Sequence, residues 1–591
     1  MIDIDFIDNR LCIILDPSHQ YYTRAKIVVR SLLTAFEYAE DKWHINYEDL
    51  GFLRQKLDLL GLVDGRAITS TAMDFVNYLS NLYTENESIK KGFKNEEVLA
   101  LLEGKLKSNL YSDQLAAVAF LINNWRCGLF DVMGLGKTVE ALAAVVALDI
   151  PKTLVICPFT VVPGFAREIE KHTHLRPLVI PRGKKTAVKF LQESKDWDVL
   201  LTHPENLIGN KQSFAGDLTK ALKKIPWGMF LIDEAHYYKN VDAKRTQCVA
   251  SLLSESRDPE GQIPRAVFMT GTPVSENPTS AYVALRLLSR DFVCHPVKFE
   301  NYFCVKVKTK FGQKITGFKN LNELKVLVEN ISIRRTKDDV TGFPDQSIIV
   351  RDIFLGGRQL KLYRAMCGDI AQDISSSSVI NLMRLLENAR VLRLRQLMNH
   401  PSLLEEAGES AKYEELDSIL EEVLSDPDAK VVLWTEWRKS VNLLYDRYDK
   451  TYGAAKIYGG VDNQELTEIQ QKFENDAKPR VIVAIPAKAG TGLDFLARAR
   501  TAIYVDRPRS YVLYNQSKDR ICRRIPPTQN MSKLDRIRSQ PATLVFLDVA
   551  NSIDAMIREE MHRKLSFVDA VTIADEKLIE LGRTDLLRYL K

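Results

Sequence analysis

Two short segments combine residue types that can do chemistry on a phosphate. The first is Asp131-Val-Met-Gly-Leu-Gly-Lys-Thr138. Gly134 and Gly136 permit a tight turn in which successive N–H groups face anionic oxygens, so the amides of Met133, Gly134, Leu135 and Gly136 can line a cradle. Lys137 is placed to reach β- and γ-phosphates, and the Thr138 hydroxyl to hold Mg²⁺. A helix starting there aims the positive end of its dipole at the same anion. The strict phosphate-loop pattern has Gly where Asp131 stands, and the segment alone also reads as an ordinary Gly-rich turn. The second segment is the apolar run Gly228-Met-Phe-Leu-Ile232 ending in Asp233-Glu234-Ala235-His236. A carboxylate at a strand end can meet a metal held by a neighbouring phosphate loop. Asp233 would then bind Mg²⁺, and Glu234 would orient and polarise an attacking water as general base. An isolated acidic strand end is commonly just solvated. Following a phosphate loop within one α/β lobe, it reads as the other half of a nucleotide site. His236 lacks a partner His or Cys at ligand spacing, so coupling to the later Thr270-Gly-Thr-Pro273 segment is expected of it rather than metal binding.

These residues need strands to carry them. Short apolar runs occur at Thr153–Cys157, Val199–Thr202, Met229–Ile232, Ala266–Met269, Val431–Trp434, Val481–Ala484, Ala502–Val505 and Leu544–Leu547. Amphipathic stretches such as Lys137–Ala147 and Ser440–Tyr448 separate most of them. Strands alternating with helices predict an α/β fold of parallel sheets covered on both faces. The strands fall into two sets, which gives two RecA-like lobes at 106–345 and 409–591, the second with C-terminal helices. A helical insertion and connection spans 346–408. Residues 1–105 read as a small, mostly helical accessory domain with weak strand signals, a helix being expected over Tyr47–Leu62. Ser375–Ser378 reads as a flexible loop, and Lys184-Lys185 as a solvated turn. Lys306, Lys308 and Lys310 alternate with Val305, Val307 and Thr309, which predicts a basic hairpin turning at Phe311-Gly312-Gln313.

Composition sets the outer bounds. The chain has 591 residues, 45% hydrophobic and 27% charged, with a net charge of +5. That charge is too weak to establish a nucleic-acid partner, and permits one if the basic residues share a face. Eight scattered cysteines without a C-x-x-C pair suggest neither a zinc site nor a disulfide framework, which fits a reducing compartment. The first residues, with Asp3, Asp5 and Asp8, lack the pattern of a signal peptide, and no apolar run is long enough for a membrane span.

With both motifs placed, residues 106–570 resemble the Swi/Snf-type ATPases, DNA translocases of helicase superfamily two. Leu110-Tyr-Ser-Asp-Gln114 resembles the segment whose Gln reads adenine. Asp131 belongs to the family's form of the phosphate loop, whereas Val132 stands where an acid is usual. Cys157-Pro-Phe-Thr160, Asp233-Glu-Ala-His-Tyr-Tyr-Lys-Asn240, Thr270-Gly-Thr-Pro273, Arg334-Arg-Thr-Lys337 and Leu394-Arg-Gln-Leu-Met-Asn-His-Pro401 are further marks. In the second lobe, Ala487-Lys-Ala-Gly-Thr-Gly-Leu-Asp494 resembles motif V, and Gln516-Ser-Lys-Asp-Arg520-Ile-Cys-Arg523 resembles motif VI. Asp519 replaces a usual Gly, and Arg507 an aromatic-Asn pair. The departures indicate a distant branch, and the stretch from Phe318 to Lys337 resembles the annealing-helicase-like group more than chromatin remodellers.

The resemblance implies ATP and Mg²⁺ as cofactors and a DNA-dependent ATPase that translocates on double-stranded or branched DNA, remodelling it or displacing bound proteins. Lys137, Asp233, Glu234, Arg520 and Arg523 become the expected catalytic set, with Thr138 and Asp233 at the metal. Gln114, the loop 133–138, Gly492, Asp494 and Gln516 are expected at the nucleotide. Backbone amides and hydroxyls near Thr160, Thr202, Thr435 and Thr491 are candidate phosphate contacts on the track. A strand-separating DNA or RNA helicase and a catalytically silent scaffold are the competing readings. A monomer without membrane attachment is expected, in the cytoplasm or nucleoid (host cytoplasm for a viral source), with residues 1–105 open to a protein partner.

Overall fold

The computed structural model of the chain describes residues 2–7, 10–18, 22–40, 42–45, 53, 66–210, 213–274, 277–289, 292, 294–309, 312–375, 389–461, 463–489, 493–524 and 533–562. They fall into two compact units that divide between Thr336 and Lys337. The helix expected over Tyr47–Leu62 and the loop from Ser376 onward lie outside the described residues, save for Leu53.

The first unit opens with a small mixed sheet. Its strands are β1 (Ile2–Ile7), β2 (Arg10–Leu15), β3 (Phe36–Ala39), β4 (Lys42–Ile45) and β5 (Arg66–Ile68), ordered β3-β4-β2-β1-β5. Helix Tyr22–Ser31 covers it around Ile13, Val29, Leu32 and Trp43. A mostly helical domain is therefore only part of the picture. The alternation Ile2-Asp3-Ile4-Asp5 gives one apolar and one polar face, the period of a half-buried strand. Helices Ser70–Lys90 and Asn95–Leu102 follow. Ile89, Val98 and Leu102 belong to the core around the larger sheet that follows rather than to the small sheet. The two helices between 70 and 102 therefore share that core.

The main sheet of the first unit has β6 (Arg126–Leu129), β7 (Thr153–Ile156), β8 (Pro177–Val179), β9 (Val199–Thr202), β10 (Met229–Asp233) and β11 (Arg265–Met269). An antiparallel hairpin of β12 (Cys304–Thr309) and β13 (Gly312–Phe318) precedes the edge strand β14 (Ser332–Ile333). The sheet order is β14-β6-β11-β10-β7-β9-β8, and every pair is parallel. Strands β7 and β9 are buried throughout, as a sheet covered by helices on both faces requires.

The second unit repeats the plan. Its strands are β15 (Gln346–Ile353), β16 (Val431–Trp434), β17 (Ala454–Ile457), β18 (Val481–Ala484), β19 (Thr501–Tyr504) and β20 (Ala542–Val549). The order is β15-β20-β19-β16-β18-β17, again all parallel. Residues 346–353 are thus an edge strand of the second lobe and not part of a helical connection. Its partner β20 lies far along the chain, so the pairing is invisible to local pattern. Helices Gly357–Ser375 and Ala389–Asn399 do follow as expected, packed through Tyr363, Leu394 and Met398. Among the described residues, no helix is long and apolar enough to cross a membrane.

Candidate nucleotide site

The phosphate loop links β6 to helix Lys137–Ala147. That helix reads Lys-Thr-Val-Glu-Ala-Leu-Ala-Ala-Val-Val-Ala, and the Ala and Leu content favours helix while leaving it apolar on all sides. It is accordingly buried, with Ala141 to Val145 in the lobe's core. Gly134 and Gly136 have φ of 92° and 102°. A Cβ on Gly136 would lie 2.3 Å from Nε2 of Gln114. Gln114 is buried beside the loop: Nε2 donates to the Leu135 carbonyl at 2.8 Å, and Oε1 accepts from the Tyr111 amide at 3.0 Å. A carboxamide carries a second N–H and a second lone pair, which is what an adenine edge asks for. Lys137 Nζ donates to the carbonyls of Asp131 and Val132 at 2.8 and 3.3 Å, so the lysine is folded over its own loop.

Asp131 is fully buried, and its partner is Arg335. The Arg335 amide donates to Oδ1 at 2.7 Å, Nε lies 3.1 Å from both carboxylate oxygens, and Nη2 donates to Oδ2. Nη2 also donates to Glu140 Oε1 at 2.7 Å, and Nη1 to the Asp113 carbonyl. The Arg335 carbonyl accepts from the Val132 amide at 3.0 Å. Burial pushes the Glu140 carboxyl up, and Arg335 pulls against it. Sequence reasoning gave roles to neither Arg335 nor Glu140. A lone acid inside an Ala-rich helix was the available signal, since a buried charge needs a partner.

The acidic pair stands two strands away on the same sheet edge. Because β6, β11 and β10 are parallel neighbours, the segments after them emerge side by side. Asp233 ends β10, and Oδ1 accepts from the Glu234 amide at 2.9 Å. Burial first, then the adjacent Glu234 carboxylate, raises Asp233 above the usual carboxylate range, against the pull of Lys137. Glu234 has φ of 48°, a left-handed turn that costs a non-glycine residue about 1–2 kcal/mol. Its Oε2 lies 3.2 Å from His236 Nδ1, and the same nitrogen lies 3.2 Å from Thr270 Oγ1. Thr270 Oγ1 in turn accepts from the Thr272 amide at 3.1 Å. Gly271 faces the phosphate loop: a Cβ there would lie 3.3 Å from Met133 Cγ and 3.4 Å from Met133 N. The structure therefore brings Lys137, Asp233, Glu234 and the expected His236–Thr270 pair to one edge.

In the second lobe, helix Tyr511–Ile521 is capped by Ser510, whose hydroxyl accepts from Leu513 N. Gln516 and Arg520 are buried on it, and Arg523 is half-buried just beyond its end. Asp519 pairs with Lys337 at 2.6 Å. Arg507 pairs with Asp548 at 2.9 Å, its guanidinium 4.0 Å from the Phe546 ring centre. Gly492, Thr491 and the side chain of Asp494 lie outside the described residues. Thr435 is fully buried and donates to Asp506 Oδ2 at 2.7 Å, and Thr202 is fully buried too. Neither hydroxyl faces solvent. Thr160 is exposed. On the hairpin, Lys306 is tied to Glu300 at 2.7 Å, while Lys308 is exposed and Lys310 lies outside the described residues.

Comparison with known proteins extends this geometry. Residues 75–403 match the SNF2-related domain and residues 411–524 the helicase conserved C-terminal domain. The chain is 24% identical over 521 residues to ATP-dependent DNA helicase DDM1 of Arabidopsis thaliana, covering 83% of this chain and 64% of that protein. It is 25% identical over 513 residues to the SWI/SNF-related matrix-associated actin-dependent regulator of chromatin subfamily A member 1 of Mus musculus, covering 81% and 45%. Among solved structures, the Sulfolobus solfataricus SWI2/SNF2 ATPase core in complex with dsDNA is 23% identical, with a TM-score of 0.35, covering 82% of this chain and 97% of that one. With its first match spanning more than half of its length, the chain belongs to the SNF2-related domain family.

Proposed function

We propose that the chain hydrolyses ATP and uses the energy to translocate on double-stranded DNA, remodelling branched DNA or displacing bound proteins. The observation that carries the chemistry is the meeting, at one carboxyl edge, of the phosphate loop, the Asp233-Glu234 strand end and the Thr270-Gly-Thr turn. In this reading Lys137 and the loop amides hold the phosphates, and Gln114 offers its remaining N–H and lone pair to adenine. Glu234 polarises the water, with His236 fixing the carboxylate toward Thr270. Arg520 and Arg523 answer the charge of the transition state, and Gln516, Gly492 and Asp494 serve the nucleotide from the second lobe.

Mg²⁺ fits the residues present. The Asp233 carboxylate is held above its ordinary range by burial and by Glu234, so a cation there relieves an uncompensated charge. Thr138, in the first turn of the loop's helix, supplies the hydroxyl. When bound, the ion neutralises phosphate charge.

DNA as the track rests on the relatives, whose names include a DNA helicase and a regulator of chromatin. The chain spans 64% of the first and 45% of the second, so the shared part is the motor rather than the whole protein. The test is the ATPase rate with no nucleic acid, single-stranded DNA, duplex, forked DNA and RNA. Duplex or forked DNA is expected to stimulate strongly. Stimulation by RNA or single strands alone would replace the track, and absence of turnover under all conditions would leave a binding scaffold.

A further inference from the structure

We propose that Arg335 is a positioning residue for nucleotide binding: it clamps the phosphate loop in its binding shape through Asp131, Val132 and Glu140. The inference rests on the reading of that loop as an ATP site. Arg335 grips two successive loop residues with three different groups. Its guanidinium and its amide hold the Asp131 carboxylate, and its carbonyl holds the Val132 amide. The carbonyls of those same two residues are the acceptors of Lys137 Nζ. Arg335 therefore fixes the frame from which the phosphate-binding lysine is hung.

The clamp also closes the loop from its other end. Glu140 lies one turn into the helix that Lys137 begins, and it accepts from Nη2 at 2.7 Å. The two buried carboxylates thus bracket the loop, one before it and one after it, and a single guanidinium joins them. Nη1 reaches the carbonyl of Asp113, next to the Gln114 that holds Leu135. A forked, planar donor set is needed to meet these acceptors at once, which a lysine ammonium on a single stem does not offer. This accounts for Asp131 where the strict pattern has Gly. The position holds an anchor, and the turn is left to Gly134 and Gly136.

The test uses the full chain and a fluorescent ATP analogue, with Arg335→Lys, Arg335→Met, Asp131→Asn and the control Lys137→Ala. Equilibrium titration gives the Kd and the bound fraction, thermal melting the fold, and steady-state kinetics KM and kcat. Removing the cation from two buried carboxylates threatens the fold in Arg335→Met, so Arg335→Lys and Asp131→Asn carry the decision. A loop that has lost its shape binds more weakly in every molecule. Kd and KM are expected to rise about tenfold or more at full binding amplitude, with kcat changing less and Arg335→Lys nearer wild type than Arg335→Met. Loss of amplitude at unchanged Kd would show fold damage only and overturn the proposal. So would wild-type Kd and KM in both milder variants while Lys137→Ala loses binding, an outcome that leaves the ATP reading standing. Absence of binding by the wild type would remove the ATP reading and the clamp with it.

Discussion

Replacing Gly136 by Ala tests the geometry of the phosphate loop at its tightest point. Gly136 has φ of 102° and ψ of 30°. An alanine in the left-handed region costs about 1–2 kcal/mol, and this φ lies beyond the centre of that region. The added Cβ would sit 2.3 Å from Gln114 Nε2, closer than contact allows. Gln114 cannot swing freely, because its amide is held at both ends, to Tyr111 and to Leu135. Displacing it forfeits a buried hydrogen bond, about 1–3 kcal/mol. The sum is about 2–5 kcal/mol, or about thirtyfold to several-thousandfold in nucleotide affinity at about 1.4 kcal/mol per decade. The assay is a double-mutant cycle with Gln114→Ala, read by titration of a fluorescent ATP analogue. Without the glutamine amide the clash is gone, so Gly136→Ala should then cost only the backbone share. A coupling of about 1–3 kcal/mol is expected between the two sites. Gly104→Ala, with φ of 71° and nothing within 4 Å of its Cβ, is the control for strain without contact. Equal costs of Gly136→Ala with and without Gln114 would refute the reasoning, since the contact would then contribute nothing.

Glu234→Gln should keep ATP binding and nearly abolish turnover, because it removes a base and retains the shape; a wild-type rate would remove Glu234 from that role. Arg520→Ala or Arg523→Ala should cut kcat far more than nucleotide affinity, which pre-steady-state binding and turnover together can separate. A chain starting at Thr69 should stay soluble and bind ATP, whereas one starting at 106 should not. The second loses Ile89, Val98 and Leu102 from the lobe's core, at about 1.5–3 kcal/mol each, against a typical total stability of about 5–15 kcal/mol. Lys308→Gln should flatten the dependence of duplex affinity on salt, and Lys306→Gln should not, because Lys306 is already neutralised by Glu300.

The parts of the site carried by local pattern were readable. The strands ending at Ile156, Thr202, Asp233, Met269 and Trp434 are short, apolar and followed by polar punctuation, and each forms where its pattern indicates. The hairpin Cys304–Phe318 was readable from its alternation, although Gly312 and Gln313 belong to the strand rather than the turn. The first strand of the small N-terminal sheet is legible in the period-two alternation of Ile2-Asp3-Ile4-Asp5-Phe6. Strand β15 carries Ile348-Ile349-Val350, an apolar run short enough to pass as part of a connection. What makes it a strand is β20, nearly two hundred residues later, and such pairing leaves no local trace. Thr435 shows another long-range effect. Its hydroxyl turns inward to Asp506, with Ser440 and Asn399 also in reach, and none of the three is its neighbour in sequence.

The charges that interrupt these motifs share one physical cause. Asp131, Asp519 and Arg507 are charges where a simple motif would have none, and each is buried. A buried charge without a partner costs several kcal/mol, so each of these demands an opposite charge at contact distance. Each has one: Arg335 for Asp131, Lys337 for Asp519 and Asp548 for Arg507. None of the partners is close in sequence, and two of the three come from Arg334-Arg-Thr-Lys337. Within that motif Arg335 serves the first unit and Lys337 the second, each through a carboxylate belonging to its own unit. Each of the motif's two cations therefore answers a different buried carboxylate. A charge found inside a phosphate loop or an arginine helix is then better treated as half of a pair than as a defect in the pattern. The other half is to be sought among the motifs whose function is otherwise unassigned.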